Sequence, residues 1–391
     1  VTKTKAILAV LAGTTGLILT VGMSYSPVKT KDDRLVTSDV VQNKPPEQSI
    51  CTTYSYIEYL VYSDYSSFVM PNNKFGIYIY AEEDRFFKLA DELVNSNGGD
   101  WGYVLIPYNI RDRDSGKWGR VFNRLADKHL IPIIQLWDVK PTDYKQDTQE
   151  AAYFLNDFLW PVKERYISVY NEPNDDKFWA GDSNASSYAE VLNYTIDAFK
   201  KVNPNFFMLN GALNASAPDT GGYINPTRFM QEMHEEVPGI FDKLDGWASH
   251  SYPQPNFSDS PYATGLWSIQ AYASELAYLK DSLGVTKPLP VFITETGWAH
   301  AQGESYQASY LPADAAAEYY KIAFEQVWLP DDRVRAVTPF TIFYKPPFDH
   351  FSWINQDGVP YAQYETLKRI AKTKGEPAGL VKTEMKVSDC K

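Results

Sequence analysis

Short runs of apolar, β-branched and aromatic residues recur along the chain at 75–80, 102–107, 131–137, 166–170, 206–211, 245–251, 290–294 and 336–343. Stretches with apolar residues at helical spacing follow them, at 83–95, 117–129, 146–159, 185–202, 226–236, 268–283, 312–328 and 361–372. The runs lack polar alternation, so they read as strands buried on both faces, the environment of a parallel sheet. Strand and helix taking turns in this way predict one closed (β/α)8 TIM barrel, an α/β fold. The rival, an open doubly wound sheet, lacks its glycine-rich phosphate turn after the first run.

Upstream of the barrel the pattern changes. Residues 6–23 carry no charge and follow Lys3 and Lys5. The stretch is long for a signal-peptide core and sufficient for a short membrane span. Lysines before it hold that end in the cytoplasm, so an extracytoplasmic location is expected, membrane-anchored or secreted. A signal anchor over 1–23 is preferred to a cleaved signal peptide, because the sequence around Ser24 makes a weak cleavage site. Polar residues at 24–74 form a linker and N-terminal extension, 75–375 the barrel, and 376–391 a tail. Outside the cytoplasm a Cys51–Cys390 disulfide is expected. A barrel that starts on a strand and ends on a helix delivers both termini near one face, where the bridge would join extension to tail.

Composition narrows the partners. The net charge of -12 argues against nucleic acid. Aromatics make up 15% of the chain, mostly as core filling, with a minority available as platforms for the C–H faces of sugar rings. Five histidines and two distant cysteines offer no metal site, and no phosphate-cradling loop implies a nucleotide; no cofactor is expected. His234-Glu235 lacks the second histidine of a zinc protease motif, and Gly181-Asp182-Ser183 reads as helix capping rather than an esterase start.

In a TIM barrel the chemistry sits at the C-terminal ends of the strands. The fourth run ends in Asn171-Glu172-Pro173-Asn174 and the seventh in Thr294-Glu295-Thr296-Gly297-Trp298. Two carboxyls on separate strand ends are the minimum equipment for cleaving a glycosidic bond: one protonates the leaving oxygen while the other attacks the sugar or activates water. Other strand ends supply Arg111, Trp137, His250, Tyr252 and Tyr344.

Asn171-Glu172-Pro173 and Thr294-Glu295-Thr296-Gly297-Trp298, in this order and on these strands, resemble the signature of the clan A retaining glycoside hydrolases. That clan includes cellulases, mannanases, β-xylosidases and β-1,3-glucanases. The resemblance covers roughly residues 75–375 and leaves the family open. It implies double displacement on a β-linked glycan, with Glu172 as acid/base and Glu295 as ionised nucleophile. Glu172 would then need a raised pKa before glycosylation. The resemblance further implies that Asn171 holds the sugar 2-hydroxyl and that Tyr252 bonds the nucleophile. His250 and Asn174 are expected to line the cleft, and Arg111 to keep Glu295 charged. Trp137, Trp298, Tyr344 and Trp353 are candidate sugar contacts. The clan's strand-eight tryptophan is replaced here by Phe343-Tyr344, with Trp353 as a substitute floor. Two alternatives stay open: a transglycosylase using the same residues, and a carbohydrate-binding barrel without turnover. Sugar, linkage and oligomeric state are not legible.

Overall fold

The computed structural model describes residues 73–375 and 377, and the backbone of two further strands, Tyr56–Tyr59 and Leu380–Thr383. Those two strands pair antiparallel, with Tyr56 opposite Thr383. The expected anchor over 1–23, most of the linker, Cys51, Cys390 and most of the tail lie outside the described residues. Among the described residues, no helix is long and apolar enough to cross a membrane.

Eight parallel strands form the barrel: β1 Gly76–Tyr78, β2 Gly102–Asn109, β3 Leu130–Trp137, β4 Arg165–Val169, β5 Phe206–Asn210, β6 Trp247–His250, β7 Val291–Glu295 and β8 Val334–Val337. Strands β1 to β5 make one continuous ladder, and β6 to β8 make another. The first seam closes where Phe75 bridges Val337, and the second where Leu209 bridges Gly246. A glycine opens each seam. A Cβ on Gly76 would stand 2.5 Å from Thr338, and one on Gly246 would stand 2.9 Å from both Leu209 and the Pro290 carbonyl. Past β5 a short segment, Leu213–Asn214, adds a further pairing to β6.

The helices are α1 Asp84–Val94, α2 Ser115–Asp127, α3 Lys145–Asn156, α4 Ala185–Val202, α5 Pro226–Glu236, α6 Ala271–Asp281, α7 Ala313–Ile322 and α8 Ala362–Arg369. Each buries one stripe. In α1 the stripe is Phe86, Phe87, Ala90, Leu93 and Val94, which is the helical period read directly from the chain. Side-chain caps define several starts: Asp114 accepts from the Lys117 amide, Asn184 from Ser187, and Asn225 from Thr227 beside Pro226. The α4 cap is thus Asn184, one residue past the expected Gly181-Asp182-Ser183.

Two cores result. The inner one, including Tyr78, Tyr103, Ile133, Tyr166, Leu209 and Phe292, fills the barrel; the larger lies between strands and helices. Seven of the ten tryptophans are fully buried, so aromatic richness serves mainly packing, as expected. Strand β8 is shorter than the run 336–343. Pro339 has no N–H to continue the ladder, and the regular pairing ends there. Beyond it the Phe340 amide donates to the Thr296 carbonyl and the Ile342 amide to the Tyr78 carbonyl, which keeps this segment between the ends of β7 and β1.

Candidate active site

The end of β4 is bent sharply. Tyr170 and Glu172 both take left-handed backbone conformations, φ 72° and 36°, unusual for residues with a Cβ. Such geometry costs about 1–3 kcal/mol per residue and concentrates at functional sites. The Glu172 amide donates to the Ala212 carbonyl at 3.0 Å, and the Glu172 carbonyl accepts from Asp175 at 2.9 Å. The bend therefore holds the Glu172 side chain at the mouth rather than along the strand. Glu295 is the last residue of β7. Just beyond it Gly297 has φ 146°, and a Cβ there would meet the Tyr320 hydroxyl, so the chain turns away at a position only glycine fills.

Glu172 and Glu295 converge on one imidazole. His250, the last residue of β6, places Nδ1 2.9 Å from Glu172 Oε1 and 3.8 Å from Glu295 Oε2. The two carboxyl oxygens can be no further apart than the sum of those distances. That limit accommodates the retaining separation of about 5–5.5 Å and barely reaches the bottom of the inverting range, about 6.5–9.5 Å. Tyr252 donates its hydroxyl to Glu295 Oε2 at 3.1 Å. Its ring is held edge-on by Phe257 and Phe351.

The electrostatics follow from this crowding. Burial pushes Glu295 up to about 7; the neighbouring Glu172 adds to the rise, while His250 and the Tyr252 hydrogen bond oppose it. Glu295, expected as the ionised partner, is thus raised in the free site. Burial alone would lower His250, but Glu295 and Glu172 outweigh it and hold the imidazole above its ordinary pKa. Burial, then the charges of Glu295 and Glu172, push Tyr252 well above the usual phenol range, so it stays a donor.

Asn171 is buried beside Glu172, and its Oδ1 accepts from Gln135 Nε2 at 3.0 Å. Gln135 in turn accepts from Trp137 Nε1 at 2.8 Å. This chain leaves Asn171 Nδ2 without a partner among the described residues. Gln135 was missed in the sequence, although a lone amide inside Ile131-Pro132-Ile133-Ile134-Gln135-Leu136-Trp137 was the available signal. Tyr344, an expected sugar contact, belongs to an aromatic row on the opposite wall in which Tyr78 and Phe340 were missed. Tyr78 packs on Tyr80 (5.4 Å between ring centres) and on Phe340 (5.1 Å), and Tyr344 packs on both Tyr80 (5.7 Å) and Phe340 (5.3 Å). Phe340 is tied to the β7 end, its amide donating to the Thr296 carbonyl at 3.1 Å. Burial and then the Glu295 charge raise Tyr78, which places that charge beside the row.

Four expected contacts are placed differently. Arg111 pairs with Asp138 through its guanidinium, donates to the Asp138 carbonyl at 2.8 Å and lies 3.5 Å from Asp147. The positive neighbour of Glu295 is His250 instead. Asn174 is wholly buried: its Nδ2 donates to the carbonyls of Asn214 and Ile224, and its Oδ1 accepts from the Asn214 amide. It ties the β4 loop to the β5 loop and presents no surface to a substrate. Trp298 is buried, its Nε1 donating to the Asp259 carbonyl at 2.8 Å. Trp353 is buried against Tyr320, so neither indole offers a platform, and Phe340 and Tyr344 floor this wall instead. Trp137 stays half-buried at the rim, edge-on to Phe178.

Solved structures share this architecture. A monomeric β-xylosidase from Caulobacter crescentus CB15 superposes with a TM-score of 0.52 at 17% identity, over 77% of this chain and 69% of that one. An endo-laminarinase from Formosa Hel1_33_131 gives 0.52 at 16% identity, over 79% and 91%. A family 51 α-L-arabinofuranosidase from Bifidobacterium longum gives 0.51 at 12% identity, over 78% and 73%. No protein-family model matches the chain, and no curated protein matches it. The fold is thus the (β/α)8 barrel that these solved structures share, as the alternation of strands and helices predicted. The three neighbours bear three different activities in their names, so the barrel leaves the sugar open.

Proposed function

We propose that the protein is a retaining glycoside hydrolase acting on O-glycosidic bonds of a β-linked glycan. The carrying observation is the convergence of Glu172 and Glu295 on His250 Nδ1, with Tyr252 donating to Glu295. In the first step Glu295 attacks the anomeric carbon while Glu172 gives its proton to the leaving oxygen, and a glycosyl ester forms on Glu295. In the second, Glu172 takes a proton from water, which attacks the same carbon and releases Glu295. The free site supports a division of labour. With the proton on Glu172, the like-charge repulsion that raises Glu295 disappears, while His250 and Tyr252 continue to favour its carboxylate. Asn171 Nδ2, oriented by Gln135, is available to the sugar 2-hydroxyl. Phe340 and Tyr344 offer aromatic faces on the opposite wall. The export signal read in residues 1–23 supports action outside the cytoplasm, on a membrane-tethered or secreted protein.

The test is incubation of the protein with β-linked glucans, mannans, xylans and galactans, alongside Glu295→Gln and Glu172→Gln. Proton NMR of the first product should show the β-anomer, released by the unmutated protein and lost in Glu295→Gln. An α-anomer as first product overturns retention. Products longer than the substrate would mark a transglycosylase, and binding with no release a carbohydrate-binding barrel; either outcome overturns the hydrolase reading.

A further inference from the structure

We propose that the groove between the loops after β7 and β8 is a second sugar-binding subsite, continuous with the catalytic cleft and selective for uncharged sugar residues. The inference rests on the glycosidase reading above and extends it to the class of substrate. The groove has a volume of about 300 Å³, the lower end of ligand-sized cavities. Its walls combine the aromatic rings of Phe343, Tyr344 and Tyr361 with the carboxylates of Glu304, Asp349 and Asp357. That pairing suits a sugar: flat apolar faces meet ring C–H groups, and carboxylates accept from neighbouring hydroxyls. Asn355 adds a donor. Its Oδ1 is occupied by the amides of Asp357 and Val359, and its Nδ2 has no partner among the described residues.

The groove is built rather than incidental. His300 Nε2 donates to the Ser352 carbonyl at 2.8 Å, His350 Nδ1 to the His300 carbonyl at 2.9 Å, and the His300 amide to the His350 carbonyl at 2.9 Å. The buried Asp349 carboxylate accepts from the Glu304 amide at 2.6 Å, and a Cβ on Gly303 would stand 2.4 Å from that carboxylate. The two loops are therefore laced into one wall. Tyr344 belongs to both sites: it lines the groove and ends the aromatic row that begins beside Glu295. A glycan seated over the carboxyl pair can continue along Tyr80 and Tyr344 into the groove.

Charge sets the selectivity. No lining side chain is basic; Arg85 stands 5.7 Å from the centre of the Phe343 ring but does not line the groove. Three carboxylates in a space of this size repel a uronate and leave a neutral sugar unaffected.

The experiment uses Glu295→Gln protein and calorimetric titration with β-1,3- and β-1,4-gluco-, β-1,4-xylo- and β-1,4-manno-oligosaccharides of two to six units, and with gluco-oligosaccharides oxidised at C6. For the series that binds, affinity should rise about tenfold from the shortest to the longest, and Tyr344→Ala in the same background should abolish the rise. The oxidised form should bind about tenfold more weakly, and Asp357→Lys should narrow that gap. Affinity independent of length, or equal affinity for the oxidised form, would overturn the subsite. Hydrolysis by the unmutated protein without length dependence refutes the subsite alone. Length-dependent binding without hydrolysis refutes the enzyme reading and keeps the subsite.

Discussion

In the proposed mechanism the hydroxyl of Tyr252 sets the acid limit of activity, and Tyr252→Phe isolates it. The ring stays packed between Phe257 and Phe351, so the substitution removes one hydrogen bond and little else. That bond runs to Glu295 Oε2 at 3.1 Å, long for an O–H donor. A hydrogen bond to a charged group contributes about 1.5–3 kcal/mol; the length argues for the lower end. At 1.36 kcal/mol per pKa unit, the loss corresponds to about one unit. The sign is fixed by which form gains. The bond favours the carboxylate, so removing it raises Glu295 further, from about 7 toward about 8. Attack requires ionised Glu295, and kcat/KM reports the free enzyme. Its acid limb should therefore lie about one unit higher in Tyr252→Phe than in the unmutated protein. The assay is kcat/KM against pH on whichever glycan the substrate panel identifies. A variant whose plateau falls while its acid limb stays in place, or moves to lower pH, would refute this account of Glu295.

Three further outcomes follow from the same physics. Glu295 has a folded pKa above its ordinary 4.5, so its contribution to stability is full below that value and is lost as pH rises through about 7; Glu295→Gln should then exceed the unmutated protein by about 2–3 kcal/mol at pH 8 and match it near pH 4 in denaturant melts, and a pH-independent difference would contradict this. Asn174→Ala removes three hydrogen bonds between the β4 and β5 loops and should cost about 3 kcal/mol, seen as a lower thermal midpoint; a merely weakened substrate affinity at unchanged stability would return Asn174 to the cleft. We propose that Cys51 and Cys390 are bridged. Tyr56 stands opposite Thr383, so the strand ends nearest the two cysteines lie side by side, and denatured, unreduced protein should show no free thiol by Ellman titration, two after reduction.

What the chain determined by itself was periodic. Parallel strands buried on both faces need continuous apolar runs, and covering helices need a stripe, so both leave a local record that counts eight units and orders them. Strand ends then located Glu172, Glu295, His250 and Tyr252, because a barrel presents the residues that follow each strand at one face. What the chain did not record was which side chains at that face meet. Asn174 and Trp298 occupy the same kind of position as Asn171 and Tyr252, yet loop packing turns the first two inward. Arg111 stands at a strand end like His250, but the carboxylates nearest to it are Asp138 and Asp147. Gln135 lies inside an apolar run, and its role appears only when β3 and β4 bring it to Asn171. Phe340 follows Pro339, whose missing N–H was visible in the chain, while the ties of Phe340 to Thr296 and of Ile342 to Tyr78 were not. Proton placement is the furthest from sequence. Glu172 and Glu295 are 123 positions apart, and burial, the Glu172 charge, a shared imidazole and one tyrosine hydroxyl together set where Glu295 takes its proton. Such terms depend on distances across the barrel, and those distances exist only once the ring of strands has closed.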